Sequence, residues 1–148
     1  MSSHRSHTIE PLKQFKIGSF TVLPFDVPHD VKNVGFLVQS EHGGKLAYLT
    51  DCFYSSYKFK NVDIYAVECN YSDEILAENI KQGLIHPVHA NRIKKSHFSL
   101  ENVKSFFHAN DLSQCREIFL IHASSTNIDK EQAVKEIQSI TGCPVYCP

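Results

Sequence analysis

Residues 34–51 read VGFLVQSEHGGKLAYLTD and predict a β-hairpin whose second strand ends on a carboxylate. The apolar run at 34–38 is long enough for a buried strand. Gly43 and Gly44 supply the positive φ values that a tight hairpin turn requires. The chain then returns as the partner strand, so Asp51 stands at a strand end.

Short apolar runs around this hairpin predict the other strands of a sheet. Residues 20–27 form one of them, and Pro24 and Pro28 bracket its last three residues, so regular structure is expected to end just before His29. Residues 1–14 are polar and lack periodicity, which predicts a flexible lead-in. The remaining strands are predicted at 15–17, 63–69, 117–121 and 144–146.

Three helices are predicted where a capping residue precedes apolar residues at helical spacing. They span 72–82, a segment that begins at Ser99, and 129–142. The basic stretch 83–96 is expected to be irregular. Hairpins come first and strand–helix units follow, so the predicted fold class is α/β, with one mixed sheet and a single domain over residues 1–148.

Composition excludes several classes of protein. The 148 residues are 42% hydrophobic and carry a formal charge of -1, which argues against general disorder and against a general nucleic-acid coat. No apolar run approaches the roughly 20 residues of a membrane span. Five cysteines without a CxxC pair argue against zinc ribbons and thioredoxin-like motifs, and favour a reducing, cytoplasmic setting. We expect some of the nine histidines to have a chemical role.

Four predicted strands end on residues that can do chemistry, namely His29, Asp51, Glu68 and His122. Strand ends of open α/β sheets meet at one edge, where ligands bind. Two imidazoles and an aspartate at that edge favour a divalent transition-metal site, in which a carboxylate can bridge two ions. The alternative is that each residue is hydrogen-bonded at its strand end without a ligand.

Histidines elsewhere carry weaker signals. His97 lies at the start of the second predicted helix. It is interpreted either as an ordinary capping-region residue or, if a metal lies beside it, as a general acid or base. His86 and His89 are interpreted as loop or surface residues. His4 and His7 form an HxxH in the lead-in, a weak metal-binding signal.

Six segments in a fixed order resemble one family. They are FTVLPFDVPHD at 20–30, VGFLV at 34–38, LAYLTD at 46–51, VECNY at 67–71, SHFSL at 96–100 and LIHAS at 120–124. Together they resemble metallo-β-lactamase-fold hydrolases, with the nearest likeness to the phage and bacterial branch near phosphodiesterases and ribonuclease Z. The resemblance extends from about residue 8 to the C-terminus.

The resemblance implies roles for individual residues. His29 is similar to a metal ligand, Asp51 to the carboxylate that bridges two metals, and His122 to the ligand that completes the second metal. The metals implied are zinc or manganese. Asp51 and His97 are the implied catalytic residues, since His97 is similar to the histidine that positions phosphate or protonates the leaving group. Weaker matches to polar residues of such sites are Asp30, Asn70 and Ser124.

One part of the family pattern is missing. The HxHxDH signature is absent, so the chain resembles the C-terminal half of the αββα sandwich, with about three helices. Each metal would keep two of the implied ligands, which predicts weak metal binding and little activity. An exposed apolar sheet face is also expected, formed by Leu23, Phe25, Phe36, Val38, Ala47 and Leu49.

These observations leave three hypotheses open. The first is a metal-dependent phosphodiesterase or nuclease completed by a separate N-terminal half, with a phosphodiester or nucleic-acid substrate near Arg92, Lys94 and Lys95. The second is an inactive, prophage-type remnant or an assembly module that forms a homodimer, or a larger assembly, through the exposed face. The third is that the chain is a fragment.

Overall fold

The sheet consists of strands that lie side by side in the order in which they occur in the sequence. β1 to β4 pair antiparallel, and β4 to β7 pair parallel. The computed structural model describes residues 7–148, which contain β1 (Phe15–Ile17), β2 (Phe20–Val27), β3 (Asn33–Ser40), β4 (Lys45–Leu49), β5 (Ile64–Glu68), α1 (Asp73–Lys81), α2 (Pro87–Ser96), α3 (Leu100–Ala109), β6 (Glu117–Ile121), α4 (Lys130–Thr141) and β7 (Val145–Tyr146). The predicted α/β class with one mixed sheet is confirmed.

His4 of the HxxH pair lies outside the described residues, as does most of the first half of the lead-in. Among residues 7–148, no helix has both the length and the apolar character needed to cross a membrane.

The hairpin of β3 and β4 forms as expected, with φ of 93° at Gly43 and 91° at Gly44. β2 spans the predicted residues 20–27 and continues past Pro24. β1 pairs with β2 only as far as Val22, so the missing N–H of Pro24 faces a side that has no partner strand. On that side the Leu12 N–H donates to the Pro24 carbonyl oxygen at 2.8 Å, which attaches part of the lead-in to the sheet.

The expectation that 83–96 is irregular is wrong, because α2 occupies most of it. Pro87 stands in the first turn, where a missing N–H costs nothing, and the His86 imidazole caps the helix by accepting from the Val88 N–H at 3.2 Å. The apolar side of α2 is buried through Ala90 and Ile93, which pack in one cluster with Tyr71 and Leu76. The described residues therefore form four helices, where the sequence predicts about three.

One face of the sheet, here called the helix-covered face, holds the main core. α3 and α4 lie on it, and the rings of Phe106 and Phe107 meet the Tyr65 ring edge-on at centroid distances of 6.1 and 5.5 Å. Strand residues that alternate along this face are fully buried, among them Ala47, Leu49, Tyr65, Val67, Ile118 and Leu120. This burial supplies most of the hydrophobic stabilisation of the fold.

The opposite side, here called the open face, is also apolar. By strand pairing and alternation it carries Phe36, Val38, Leu46, Tyr48, Ile64, Ala66, Phe119 and Tyr146. These side chains are half-buried or exposed, and helices α3 and α4 pack on the other side of the sheet. Part of the lead-in borders this face, because Ile9 lines a groove together with Val22 and Phe36.

The prediction of which residues form the exposed face is correct for only part of the set. Phe36 and Val38 lie on the open face. The other four belong to the helix-covered face, namely Leu23, Phe25, Ala47 and Leu49. Both sides of these strands are apolar, so hydrophobicity alone does not reveal which residues share a side.

Candidate metal centre

Three neighbouring parallel strands deliver polar residues to one edge of the sheet. β5 ends on Glu68, while Asp51 follows β4 and His122 follows β6. β5 lies between β4 and β6 in parallel register, so the three carboxyl ends meet. The strand order thus brings three of the four predicted strand-end residues, Asp51, Glu68 and His122, to the same edge.

Two of these residues have an unusual backbone conformation. Asp51 has φ of 51° and His122 has φ of 54°, in the left-handed region that residues other than glycine seldom occupy. Asparagine side chains hold both turns, since Asn33 Nδ2 donates to the Asp51 carbonyl oxygen and Asn70 Nδ2 to that of His122, each at 2.8 Å. Such strain is typical of functional sites, where surrounding contacts enforce it.

Four side chains form a compact group at this edge, with one potential ligand atom from each within 4.8 Å of the others. They are Asp51, Glu68, His97 and His122. His122 Nδ1 lies 3.3 Å from Asp51 Oδ1 and 3.0 Å from Glu68 Oε1. His97 Nδ1 lies 2.6 Å from the same Glu68 oxygen and 3.8 Å from Asp51 Oδ1.

Glu68 is the residue at the bottom of this group, and its side chain is fully buried. Its Oε1 contacts both imidazoles, and its Oε2 accepts from the Cys52 N–H at 3.1 Å. A buried carboxylate is costly unless it is paired in this way. Glu68 is a predicted strand-end residue but not a predicted site residue, because no local pattern shows that it is buried between two histidines.

His97 follows α2 directly and precedes the Ser99 cap of α3, so two helices fix its position. The hydrogen bond to Glu68 raises the pKa of His97 above its ordinary value, with smaller contributions from the charges of Glu68 and Asp51, while burial opposes the shift. The structure thus pairs a basic imidazole with a buried carboxylate beside the potential metal ligands.

His29 lies in the same cavity but outside the compact group. It lines the cavity of about 400 Å³ together with Asp51 and His122. Its Nδ1 is 3.1 Å from the Ser96 carbonyl oxygen and its Nε2 is 3.0 Å from Asp30 Oδ1. The predicted trio therefore shares one side of the molecule, yet His29 is bound to neighbours other than Asp51 and His122.

The donor set fits a divalent transition metal. Two carboxylates and two imidazoles are common ligands of zinc, manganese and iron. Ligand atoms around a tetrahedral ion stand about 3.4 Å apart when each metal–ligand bond is about 2.1 Å. The His122 to Asp51 distance of 3.3 Å agrees with this spacing, whereas the 2.6 Å contact between His97 and Glu68 is that of a charge-assisted hydrogen bond. Asp51 and His122 therefore have the spacing of metal ligands, while His97 and Glu68 form a hydrogen-bonded pair beside them.

Asp30, Asn70 and Ser124, the weaker matches to the family's polar site residues, each make hydrogen bonds or ion pairs near the cavity or its turns. Asn70 supports the His122 turn as described. Asp30 forms an ion pair with Arg92 at 3.3 Å on the rim of the cavity. Ser124 Oγ accepts from the backbone N–H groups of Thr126 and Asn127, as a turn-capping hydroxyl does.

Comparisons with known proteins give the fold. No protein-family model and no curated protein matches the chain. The metallo-β-lactamase fold protein YhfI from Bacillus subtilis matches with a TM-score of 0.70 and 14% identity, over 95% of this chain and 51% of that one. CmlA, a diiron β-hydroxylase from Streptomyces venezuelae, matches with a TM-score of 0.57 and 11% identity, over 93% and 32%.

A human tRNase Z also matches. The short form of human tRNase Z has a TM-score of 0.51 and 17% identity, over 90% of this chain and 42% of that one. The chain thus spans about half the length of YhfI and less of the other two. The strand order, the site at the carboxyl edge and these matches together identify a chain with the metallo-β-lactamase fold.

Proposed function

We propose that this chain provides part of a metal-dependent hydrolase that cleaves phosphodiester bonds. The observation that carries this proposal is the group of two carboxylates and two histidines at the carboxyl edge of the sheet, within 4.8 Å of one another. The likeness to tRNase Z supports a phosphodiester substrate, and the donor set supports zinc or manganese.

Asp51 and His122 are the proposed metal ligands, and His29 is the proposed third ligand from the same cavity. The contact of His29 Nδ1 with a backbone carbonyl resembles the support that metal-binding histidines usually receive. A bound ion would polarise the phosphoryl oxygen and lower the pKa of an attacking water. Asp51 is proposed as catalytic because it holds that ion.

His97 is the proposed proton donor to the leaving oxygen. Its Nδ1 hydrogen bond with Glu68 fixes the orientation of the ring and favours the protonated form. Glu68 also lies 3.0 Å from His122 Nδ1, so one buried carboxylate orients both imidazoles. Glu68 is therefore a positioning residue in this proposal.

Calorimetric titration of the purified chain with Zn²⁺ and Mn²⁺ tests the metal site. We expect binding that is abolished by His122→Ala and retained by His42→Ala, whose imidazole is exposed in the hairpin turn. Hydrolysis of bis(p-nitrophenyl) phosphate tests the chemistry, and little turnover by the chain alone is expected because the HxHxDH ligands are missing. Equal metal binding by both variants would refute the metal site. Rapid turnover by the chain alone would refute the proposal that activity needs ligands from a separate N-terminal half.

The second candidate function is an assembly module, and the open face favours it. Its half-buried aromatic and aliphatic side chains cover several adjacent strands, which isolated monomers rarely leave uncovered. For the isolated chain, we propose that a second copy covers this face in a homodimer that buries more than about 1,000 Å². The complementary N-terminal half of the fold would occupy the same face in a complete enzyme.

Light scattering at micromolar concentration tests this assembly. We expect a dimer for the native chain and a monomer for Val38→Lys, which places a charge on the open face. Val31→Lys is the matched control, because Val31 is 66% exposed outside the strands. A monomeric native chain, or equal dimerisation of both variants, would refute the homodimer.

A further inference from the structure

Two of the proposed metal ligands share a backbone conformation that is rare in the rest of the chain. Among residues 7–148, four residues other than glycine have a positive φ, and Asp51 and His122 are two of them. A side chain at such a φ is crowded against its own backbone, so the conformation persists where neighbouring contacts enforce it. Each ligand therefore depends on contacts from another part of the molecule.

Asn33 supplies the contact at Asp51. If the pairing of β3 with β4 continued past Leu49, the last residue of β4, Asn33 would stand opposite Asp51. The chain turns at this point, and Asn33 Nδ2 donates to the carbonyl oxygens of Thr50 and Asp51 at 2.9 and 2.8 Å. The side-chain amide thus replaces the backbone pairing that the turn interrupts.

Asn70 supplies the contact at His122. Its Nδ2 donates to the His122 carbonyl oxygen at 2.8 Å. Its backbone N–H donates to the Phe98 carbonyl oxygen at 2.9 Å, one residue after His97. Asn70 also follows β5, which ends at Glu68, by two positions. This one residue therefore connects the chain segments of Glu68, His97 and His122.

Both amides act on the backbone of a ligand residue and not on its side chain. Neither Asn33 nor Asn70 lines the cavity that Asp51 and His122 border. The property that they control is the relative position of the two turns, which places His122 Nδ1 3.3 Å from Asp51 Oδ1. That distance suits two ligands of one ion, so a shift of either turn disturbs the ligand spacing.

We propose that Asn33 and Asn70 are positioning residues of the metal centre, each of which holds the backbone of one ligand in the conformation that binds the ion. Loss of a residue that supports a metal ligand typically lowers the metal affinity about 10- to 100-fold. The effect on affinity rests on the proposed function, because it requires Asp51 and His122 to bind a metal. The effect on the two turns does not require a metal.

NMR chemical shifts of the full chain in EDTA test the backbone part of this inference. The Cα chemical shift depends on φ and ψ, so each turn can be followed separately. Asn70→Leu removes the amide donor but keeps a branched side chain, and we expect it to move the Cα shift of His122 more than that of Asp51. Asn33→Leu should have the opposite effect. Equal changes at both ligands in each variant, or no change at either, would overturn the proposal.

Titration with Zn²⁺ against a competing chelator tests the metal part. We expect Asn33→Leu and Asn70→Leu each to weaken Zn²⁺ binding about tenfold or more. Asn33 is half-buried, so its variant keeps the test decisive if Asn70→Leu does not fold.

Asn110→Leu is the matched control. Its Nδ2 donates to the Phe106 carbonyl oxygen at 2.8 Å, in the same kind of contact but at the C-terminal end of α3. Lower stability without weaker Zn²⁺ binding at positions 33 and 70, or an equal loss of affinity in Asn110→Leu, would overturn the positioning role. A native chain that binds no Zn²⁺ would refute the metal site itself, and the shifts in EDTA would still decide whether the amides hold the turns.

Discussion

The two ends of the parallel strands β4, β5 and β6 differ in how they hold acidic residues. At the amino end, Asp63 accepts from the Lys45 N–H at 2.7 Å and pairs with Arg116, in an ordinary backbone conformation. At the carboxyl end, Asp51 has a left-handed φ and Glu68 is fully buried between two imidazoles. The amino end therefore supports the fold, whereas the carboxyl end concentrates strain and buried charge as functional sites do.

The largest expected difference between the two ends is in metal affinity. Asp51→Asn should weaken Zn²⁺ binding by about 100-fold or more, because removal of a ligand costs at least as much as removal of a residue that supports one. Asp63→Asn should leave the affinity unchanged. Titration with a competing chelator measures both, and similar losses for the two variants would show that the comparison is wrong.

Buried charge at the carboxyl end should also dominate stability. Glu68→Gln should lower the free energy of unfolding by about 2 kcal/mol in EDTA, because it removes a charge-assisted hydrogen bond inside the protein. Glu117→Gln, at the half-buried first position of β6, should change it by less than about 0.5 kcal/mol. Urea denaturation at pH 6 measures both values, and a stable Glu68→Gln protein would contradict the role of the buried pair.

Backbone strain should produce a smaller difference of opposite sign at the two ends. Asp51→Gly should be more stable than Asp51→Ala by about 1 kcal/mol, because alanine pays the steric cost of a positive φ. At Asp63 the order should reverse, since glycine there only adds flexibility to the unfolded chain. Neither the glycine nor the alanine variant at a position has the carboxylate. The difference in their thermal stability therefore reports the backbone effect alone. The same order at both positions would refute the strain.

The smallest expected effect is a pH dependence of stability in the metal-free chain. Glu68 raises the pKa of His97, so the protonated imidazole stabilises the folded state. This stabilisation is fully present below the unfolded pKa of about 6.5 and is lost as the pH rises through the higher folded value. Unfolding between pH 6 and pH 9 should show this loss in the native chain and a weaker one in Glu68→Gln. Identical pH profiles would show that the pair does not control the titration.

Much of the fold can be predicted from local sequence. The Gly43–Gly44 turn, the capping residues Ser72, Ser99 and Asp129, and the strand-end positions of Asp51 and His122 each depend on a few adjacent residues. α2 is the local element that the sequence prediction missed, because a histidine cap and a basic composition conceal a helix that Pro87 can begin.

The composition of the site depends on contacts between distant segments. His97 and Glu68 are 29 residues apart, and Thr50 and His122 are 72 apart, yet each pair meets at the carboxyl edge. No local pattern shows that Glu68 is buried beneath two imidazoles, or that His29 is bound to Ser96 and Asp30. These contacts form between segments that α3, packed against the strands, and α2, packed against Tyr71 and Leu76, bring to the carboxyl edge.

The sequence by itself determined the positions of most strands, the hairpin turn and the helix caps, because these depend on short-range conformational preferences and on residue type. Tertiary structure alone decided which apolar residues share a face. It also decided that Glu68 joins the site and that Arg92, but not Lys94, faces the cavity. The physical reason is that strand pairing and helix rotation are fixed by the burial of apolar surface over the whole domain, which no short segment encodes.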